Sequence, residues 1–301
     1  MKKIATALAC LCDISGLTGC SDDAERATSS SPTVTKPAAR KASDFSYLKV
    51  SNLVDDESRA EVLRILAEAG MAKTDLREFE NQVVKFNATI PTGSLVKVGF
   101  QPLKESSDED KAAIATAAEA HNKNLINCRI TAFTAGRSLL GVGNPEGADG
   151  SELFKDLETI KSDPQTFTVA DRDAFTGFFG RIPTTAEKDS ETHVANIMEY
   201  QKKHAITYNP GKASVVNVFV HDVSDPEDAS MFVTHAGLLA EADDGRLLYV
   251  EKLTFNQPYR ALWFESRDQL VAYLRATYDD GPDTDYSQPI IMENDQVLSL
   301  S

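Results

Sequence analysis

The sequence predicts an α+β fold, with a helical first half packed on an antiparallel second half. Two observations carry this. Apolar residues recur at three- and four-residue spacings up to about residue 208, and past the turn signal Asn209-Pro210-Gly211 the spacing becomes two. Asp243-Asp244-Gly245, set between two runs rich in β-branched and long apolar residues, reads as a hairpin, so the strands it joins are antiparallel.

Lys2-Lys3, an apolar run from Ile4 to Cys12 and Leu17-Thr18-Gly19-Cys20 read as an export signal over 1–19, with Asp13 interrupting its apolar part. The tetrapeptide is similar to the lipobox of bacterial lipoproteins, which implies cleavage before Cys20 and acylation of that cysteine; a plain signal peptide is the alternative. Residues 20–44 hold few large apolar side chains and read as a tether from lipid to domain. Residues 45–301 are expected to form a single globular α+β domain.

Asp55 or Asp56 caps a helix striped by Val62, Ile65, Leu66 and Ala69 and closed by Gly70. Thr74 opens a second, with Leu76, Phe79, Val83 and Phe86 on one face. Ser94 to Phe100 reads as a strand, and Ser107 with Asp110 approximates a capping box for an alanine-rich helix to His121. Asn127 caps the next helix, whose apolar positions Ile130, Phe133, Leu139 and Leu140 predict an end at Gly141. Three further helices follow, around Leu153 to Ile160, Phe175 to Phe179 and Val194 to Met198. Ser214–His221, Met231–Glu241, Arg246–Phe255 and Tyr259–Phe264 read as strands. Ser266 with Gln269 caps a helix through Val271 and Leu274, and Pro289 to Leu300 closes as a hairpin around Asn294-Asp295.

The formal charge of −15 on 301 residues leaves no clustered Lys and Arg, so nucleic acid is not expected as a partner. Among the four cysteines, Cys10 and Cys12 would leave with the signal and Cys20 would carry lipid, so Cys128 is left without an intramolecular partner. An unpaired thiol outside the cytoplasm calls for burial or a use. Cys128 would sit in the first turn of its helix, where free N–H groups and the macrodipole favour a thiolate.

A catalytic thiol needs a base and a group that orients the base. His235 lies in an apolar strand, and across the hairpin lie Glu251 and Lys252. A three-residue turn puts Glu251 on the face of His235; a two-residue turn puts Lys252 there. Each residue also has a plainer role: Cys128 as a small buried hydrophobe, His235 as a core histidine bonded to backbone, Glu251 as a solvated strand residue.

A helix-borne Cys128, a strand-borne His235 and a polar residue on the next strand together resemble the papain-like cysteine hydrolases, including bacterial cell-wall amidases and peptidases. That resemblance implies Cys128 as nucleophile, His235 as base, Glu251 as orienter where Asn is commoner, and Asn122 as oxyanion donor. The chain at large resembles a family of bacterial lipoproteins classed as a domain of unknown function. That likeness rests on Ser51-Asn52-Leu53-Val54-Asp55, Asn127-Cys128-Arg129-Ile130-Thr131-Ala132-Phe133, His235-Ala236-Gly237 and Glu251-Lys252-Leu253 with Pro258-Tyr259, and covers nearly all of 45–275.

No cofactor is expected. His121, His193, His204 and His221 lack the paired spacing of a zinc site, and Asp225-Pro226-Glu227-Asp228 lacks the glycine of a calcium loop. Gly141-Val142-Gly143-Asn144-Pro145-Glu146-Gly147 has proline where a phosphate loop needs an amide donor. The expected protein is therefore a lipid-anchored, extracytoplasmic member of the bacterial cell envelope. Two functions fit it: a cysteine hydrolase or transferase acting on a cell-wall peptide or other small amide or ester, or a non-catalytic binding lipoprotein with an inert thiol.

Overall fold

A computed structural model describes residues 45–121, 126–209 and 211–299. The proposed signal, the tether with Cys20, and Asn122 lie outside the described residues. The helical half opens with strand β1 (Lys49–Ser51), then α1 (Asp56–Glu68) and α2 (Lys73–Asn87). Asp55 caps α1 by accepting the Ser58 N–H at 2.8 Å, and Gly70 closes it at φ +110°, a left-handed conformation that glycine adopts without strain. Helix α2 begins one residue before Thr74 and has no side-chain cap.

The expected strand over 94–100 is not formed. Its amides are spent on side chains instead: Val96 N–H donates to Asn52 Oδ1 and Gly99 N–H to Asp55 Oδ2, with Gly99 at φ +60°. Only β2 (Gln101–Pro102) joins the sheet, against β1. Helix α3 (Asp108–His121) starts on Ser107, whose Oγ accepts the Asp110 N–H as predicted.

Helix α4 (Cys128–Gly136) stops five residues short of Gly141 and tightens into a 3₁₀ turn over Arg137–Leu139. Tertiary partners set this end: Ser138 N–H donates to Asp75 Oδ2, and the Leu139 carbonyl accepts from Asn209 N–H at 2.7 Å. Gly141 itself lies in β3 (Leu140–Val142). Helices α5 (Phe154–Ser162) and α6 (Val169–Phe179), strand β4 (Ile182–Pro183) and helix α7 (Ser190–Lys203) follow, and β5 (Ile206–Tyr208) pairs with β3. The strands β3, β4 and β5 are too short to leave a period-two signature in the sequence.

The second half supplies β6 (Ala213–Asp222), β7 (Ser230–Glu241), β8 (Leu247–Lys252), β9 (Tyr259–Phe264), α8 (Arg267–Tyr278), β10 (Ile290–Glu293) and β11 (Gln296–Val297). The large sheet runs β11-β10-β6-β7-β8-β9-β1-β2, with β4 against β7, and its pairings are antiparallel. The fold is α+β, as the change of period predicts. The third strand is shorter than predicted, ending at Lys252 because the chain turns away through Leu253–Pro258 before β9. Both faces of the sheet are covered. Leu238, Ala240, Leu248 and Val250 enter a core with Phe79, Phe133 and Phe175 from the helices, while Leu239, Leu247, Tyr249 and Leu262 pack under Leu270, Val271 and Leu274 of α8. Burial on both faces explains why the run Val215 to Val220 is apolar without alternation on either side of the buried Asn217.

Candidate active site

The site forms where α4 meets β7. Asn127 caps α4 by accepting the Ile130 N–H at 3.0 Å, which makes Cys128 the first helical residue, as its spacing predicts. A side-chain clamp fixes this end of the helix. Asp156 of α5 accepts from Asn127 Nδ2 at 2.7 Å and from Arg129 Nε and Nη2 at 3.1 and 2.8 Å, while Arg129 Nη1 donates to the Val233 carbonyl of β7 at 2.7 Å. Three elements are thereby tied together within two residues of the thiol.

The Cys128 side chain is 5% exposed and points to the β7 backbone, with Sγ 3.7 Å from the Thr234 carbonyl. Strand β7 is bulged here. Val218 pairs with His235 and Phe219 with Val233, which leaves Thr234 as the extra residue. The bulge has a consequence for chemistry. Val233 and Ala236 both enter the helical core, a spacing of three that regular alternation forbids, and the inserted residue turns His235 to the other face.

On that face His235 meets Glu251. The turn after Ala242 spans three residues, Ala242 N–H bonding to the Arg246 carbonyl, so Gly237 pairs with Glu251 and the carboxylate lies diagonally beside the imidazole. His235 Nε2 is 2.8 Å from Glu251 Oε2. Glu251 Oε1 accepts from Tyr273 Oη at 2.6 Å and from Arg260 Nη2 at 2.8 Å. Arg260 is the residue directly opposite Glu251 on β9, and Tyr273 comes from α8. Gly237 keeps the space open, since a Cβ there would strike the Tyr249 phenol. The Tyr278 ring, at the end of α8, stacks on the imidazole at 4.7 Å and 23°. Lys252 takes the opposite face, as the three-residue turn requires.

The electrostatics follow from these contacts. Burial works against ionising Glu251, but the Arg260 guanidinium and the His235 hydrogen bond outweigh it and hold the carboxyl down at about 2. An ionised Glu251 accepts the Nε2 proton, which leaves Nδ1 as the basic nitrogen, and Nδ1 is buried with no hydrogen-bond partner. Burial also opposes an imidazolium. The thiol and Glu251 outweigh that, and the His235 pKa rises to about 9. The Cys128 thiol is pushed up by burial but pulled further down by the neighbouring His235, the Arg129 charge and the Ala236 N–H, so it lies below its ordinary value. Imidazole and carboxylate are therefore joined by a hydrogen bond, while the thiol, whose own hydrogen bond goes to the Thr234 carbonyl, is linked to the imidazole through charge.

Arg260, Tyr273, Tyr278 and Asp156 were not foreseen. Arg260 carries the one signal that could have found it, an alternate position on a strand whose neighbours Tyr259 and Ala261 face the helices. The other histidines stand apart: His193 and His221 bond to Ser287 with their rings 4.2 Å apart, and His204 Nδ1 lies 2.8 Å from the Asn144 carbonyl. Among the described residues, no group of three His, Cys, Asp or Glu side chains is arranged to hold a metal.

Residues 49–298 match the family model described as "Domain of unknown function (DUF4300)", and the chain belongs to that family. No curated protein and no solved structure matches it.

Proposed function

We propose that this DUF4300 chain is a papain-like cysteine hydrolase or transferase acting on an amide or ester outside the cytoplasm, held at the bacterial membrane by lipid on Cys20. The observation that carries the enzyme reading is the buried His235–Glu251 pair, closed by Arg260 and Tyr273, on a strand whose Thr234 carbonyl meets the Cys128 thiol next to the histidine. Ionised carboxylates pair with arginine in many structural settings, but here the paired carboxylate holds a buried imidazole whose second nitrogen is unpaired, and a buried thiol meets the residue before it in the chain. That is the nucleophile, base and orienter logic of thiol acyl transfer.

In the first half-reaction the Cys128 proton passes to His235 Nδ1 and the thiolate attacks the carbonyl carbon. The Cys128 N–H, at the free end of α4, donates to the oxyanion, and Asn122 is proposed as the second donor. Collapse breaks the bond to the amine or alcohol, which leaves with the imidazolium proton. Water, or an acceptor amine in a transferase, then gives its proton to His235, attacks the thioester and restores the thiol. Glu251 accepts the Nε2–H throughout and stabilises the imidazolium.

One observation favours the second reading, a binding lipoprotein with an inert thiol: Cys128 is buried and Tyr278 covers the imidazole. Iodoacetamide separates the two. The expected result is alkylation of native protein that proceeds at pH values below the ordinary cysteine range, slows strongly in His235→Ala and slows less in Glu251→Gln, because Glu251 acts on sulfur only through the ring. A thiol that reacts only after denaturation, at a rate independent of His235, leaves the inert reading standing.

A further inference from the structure

Helix α8 ends at Tyr278, whose ring covers the His235 imidazole, and residues 279–289 lead from there to β10. This segment bonds largely to itself: Gly281 N–H donates to Asp279 Oδ1 at 2.9 Å, Thr284 Oγ1 to the Tyr286 carbonyl at 2.9 Å, and Tyr286 Oη to Asp280. It reaches the body of the protein at Thr284, whose carbonyl accepts from the exposed Lys188, and at Ser287, which is buried between His193 of α7 and His221 of β6. Met231, opposite His221, belongs to the core under the helices, so the segment crosses the end of the sheet from the face of α8 to the face of α7.

This fastening fixes its own protonation. The Thr185 carbonyl, 2.9 Å from His221 Nε2, can only accept, and the Ser287 N–H, 3.1 Å from Nδ1, can only donate. His221 therefore fits only as the neutral ring with its proton on Nε2. A proton on Nδ1 would set donor against donor and leave a charge out of water. His193 has hydroxyls at both nitrogens, Thr184 Oγ1 at 2.8 Å and Ser287 Oγ at 2.9 Å, and its ring lies 4.2 Å from that of His221, so a charge on one opposes a charge on the other. The groups that face the pair offer little to hold a cation. Asp189, at the start of α7, and the Glu187 backbone favour a charged His193, but burial and His221 outweigh them and hold it below its ordinary value of 6.5. Asn196 of α7 donates to Thr184 Oγ1, β7 brings Met231 and the segment brings Ser287, none of them charged.

We infer that residues 279–289 are an acid-released strap over the candidate active site, fastened at Ser287 by neutral His193 and His221 and freeing Tyr278 from His235 when the fastening gives way. Its part in access rests on the reading of Cys128 as the reacting group. A ring that binds its proton less readily in the folded chain than outside it lowers stability as pH falls below 6.5, because a released histidine takes up the proton first. That loss is concentrated at Ser287, the joint between segment and body. His235, raised to about 9, stays charged beside the thiol as the strap loosens.

Hydrogen exchange in the full chain, corrected for the intrinsic rate at each pH, reads the strap. From about pH 7.5 to about pH 5, protection over 278–288 should fall about tenfold or more while that of β7 and β8 holds. His221→Asn keeps an acceptor oxygen near the place of Nδ1 and cannot take a proton, so its protection over the same residues should not follow pH. The His221 ring titration followed by NMR should coincide with the wild-type loss, which decides the case if Asn is too short to fasten Ser287. Iodoacetamide reads the cover: the ratio of the wild-type rate to the His221→Asn rate cancels the ionisation of the thiol, and it should rise about tenfold over the same fall in pH. Wild-type protection that ignores pH, or that falls equally in His221→Asn, overturns the inference. A flat ratio overturns it too, because the strap then opens without uncovering sulfur. A thiol unreactive in both proteins overturns the cysteine reading instead, and the exchange over 278–288 still decides the strap.

Discussion

A carboxylate taken out of water stays charged only when its oxygens are filled, and Glu251 fills both, Oε2 with His235 and Oε1 with Arg260 and Tyr273. Its folded pKa of about 2 lies below the ordinary glutamate value of 4.5. A depressed carboxylate contributes stability that is fully present above its unfolded pKa and is lost as pH falls through the folded one, so this contribution disappears between about pH 4.5 and pH 2. Glu251→Gln removes it at every pH and leaves the half-buried Arg260 without an anion, at a cost of up to about 3–5 kcal/mol. Denaturant titration should show that loss at neutral pH, and the gap between variant and wild type should narrow below pH 4.5. A gap that stays constant to pH 2 would assign the loss to packing.

At the scale of elements, two devices aim the residues: the clamp on the first turn of α4 and the bulge in β7. Asp156, nearly fully buried, joins Asn127, Arg129 and, through Arg129, the Val233 carbonyl. Asp156→Asn keeps the shape but takes the counter-charge from a guanidinium that is 13% exposed, a change worth about 3–5 kcal/mol in buried pairs. Thermal melting should register that loss, and iodoacetamide should lose its dependence on His235 as the N-terminus of α4 loosens from β7. Full stability with wild-type alkylation would show that the clamp positions nothing. The local parts of this arrangement were legible in the sequence. Asn127 caps through a contact three residues away, and the turn at Asp243-Asp244-Gly245 fixes the face of Glu251 through its own length. The clamp and bulge were not, since Asp156 lies 27 residues from Arg129 and the Thr234 bulge depends on which strand β7 meets.

For the whole molecule, the order β6-β7-β8-β9 follows the chain and could be read from its hairpins, whereas β10 returns beside β6 and β1 beside β9 through pairings that no local signal announces. That return matters to the site. Helix α8, inserted between β9 and β10, covers the second face of the sheet and brings Tyr273 and Tyr278 onto Glu251 and His235. Cysteine usage ties this interior to the start of the chain. Cys128 is free and buried, and with Cys10 and Cys12 in the proposed export signal, Cys20 is the cysteine proposed to carry a lipid. No helix among the described residues is long and apolar enough to cross a membrane, and the proposed anchor is the lipid on Cys20. In cells given a labelled fatty acid, the wild-type chain and Cys128→Ala should carry label in the membrane fraction, and Cys20→Ala should carry none and either leave the membrane or accumulate uncleaved. Label that persists in Cys20→Ala would remove the anchor. Loss of label in Cys128→Ala would mean that the buried thiol, not Cys20, is the acylated one.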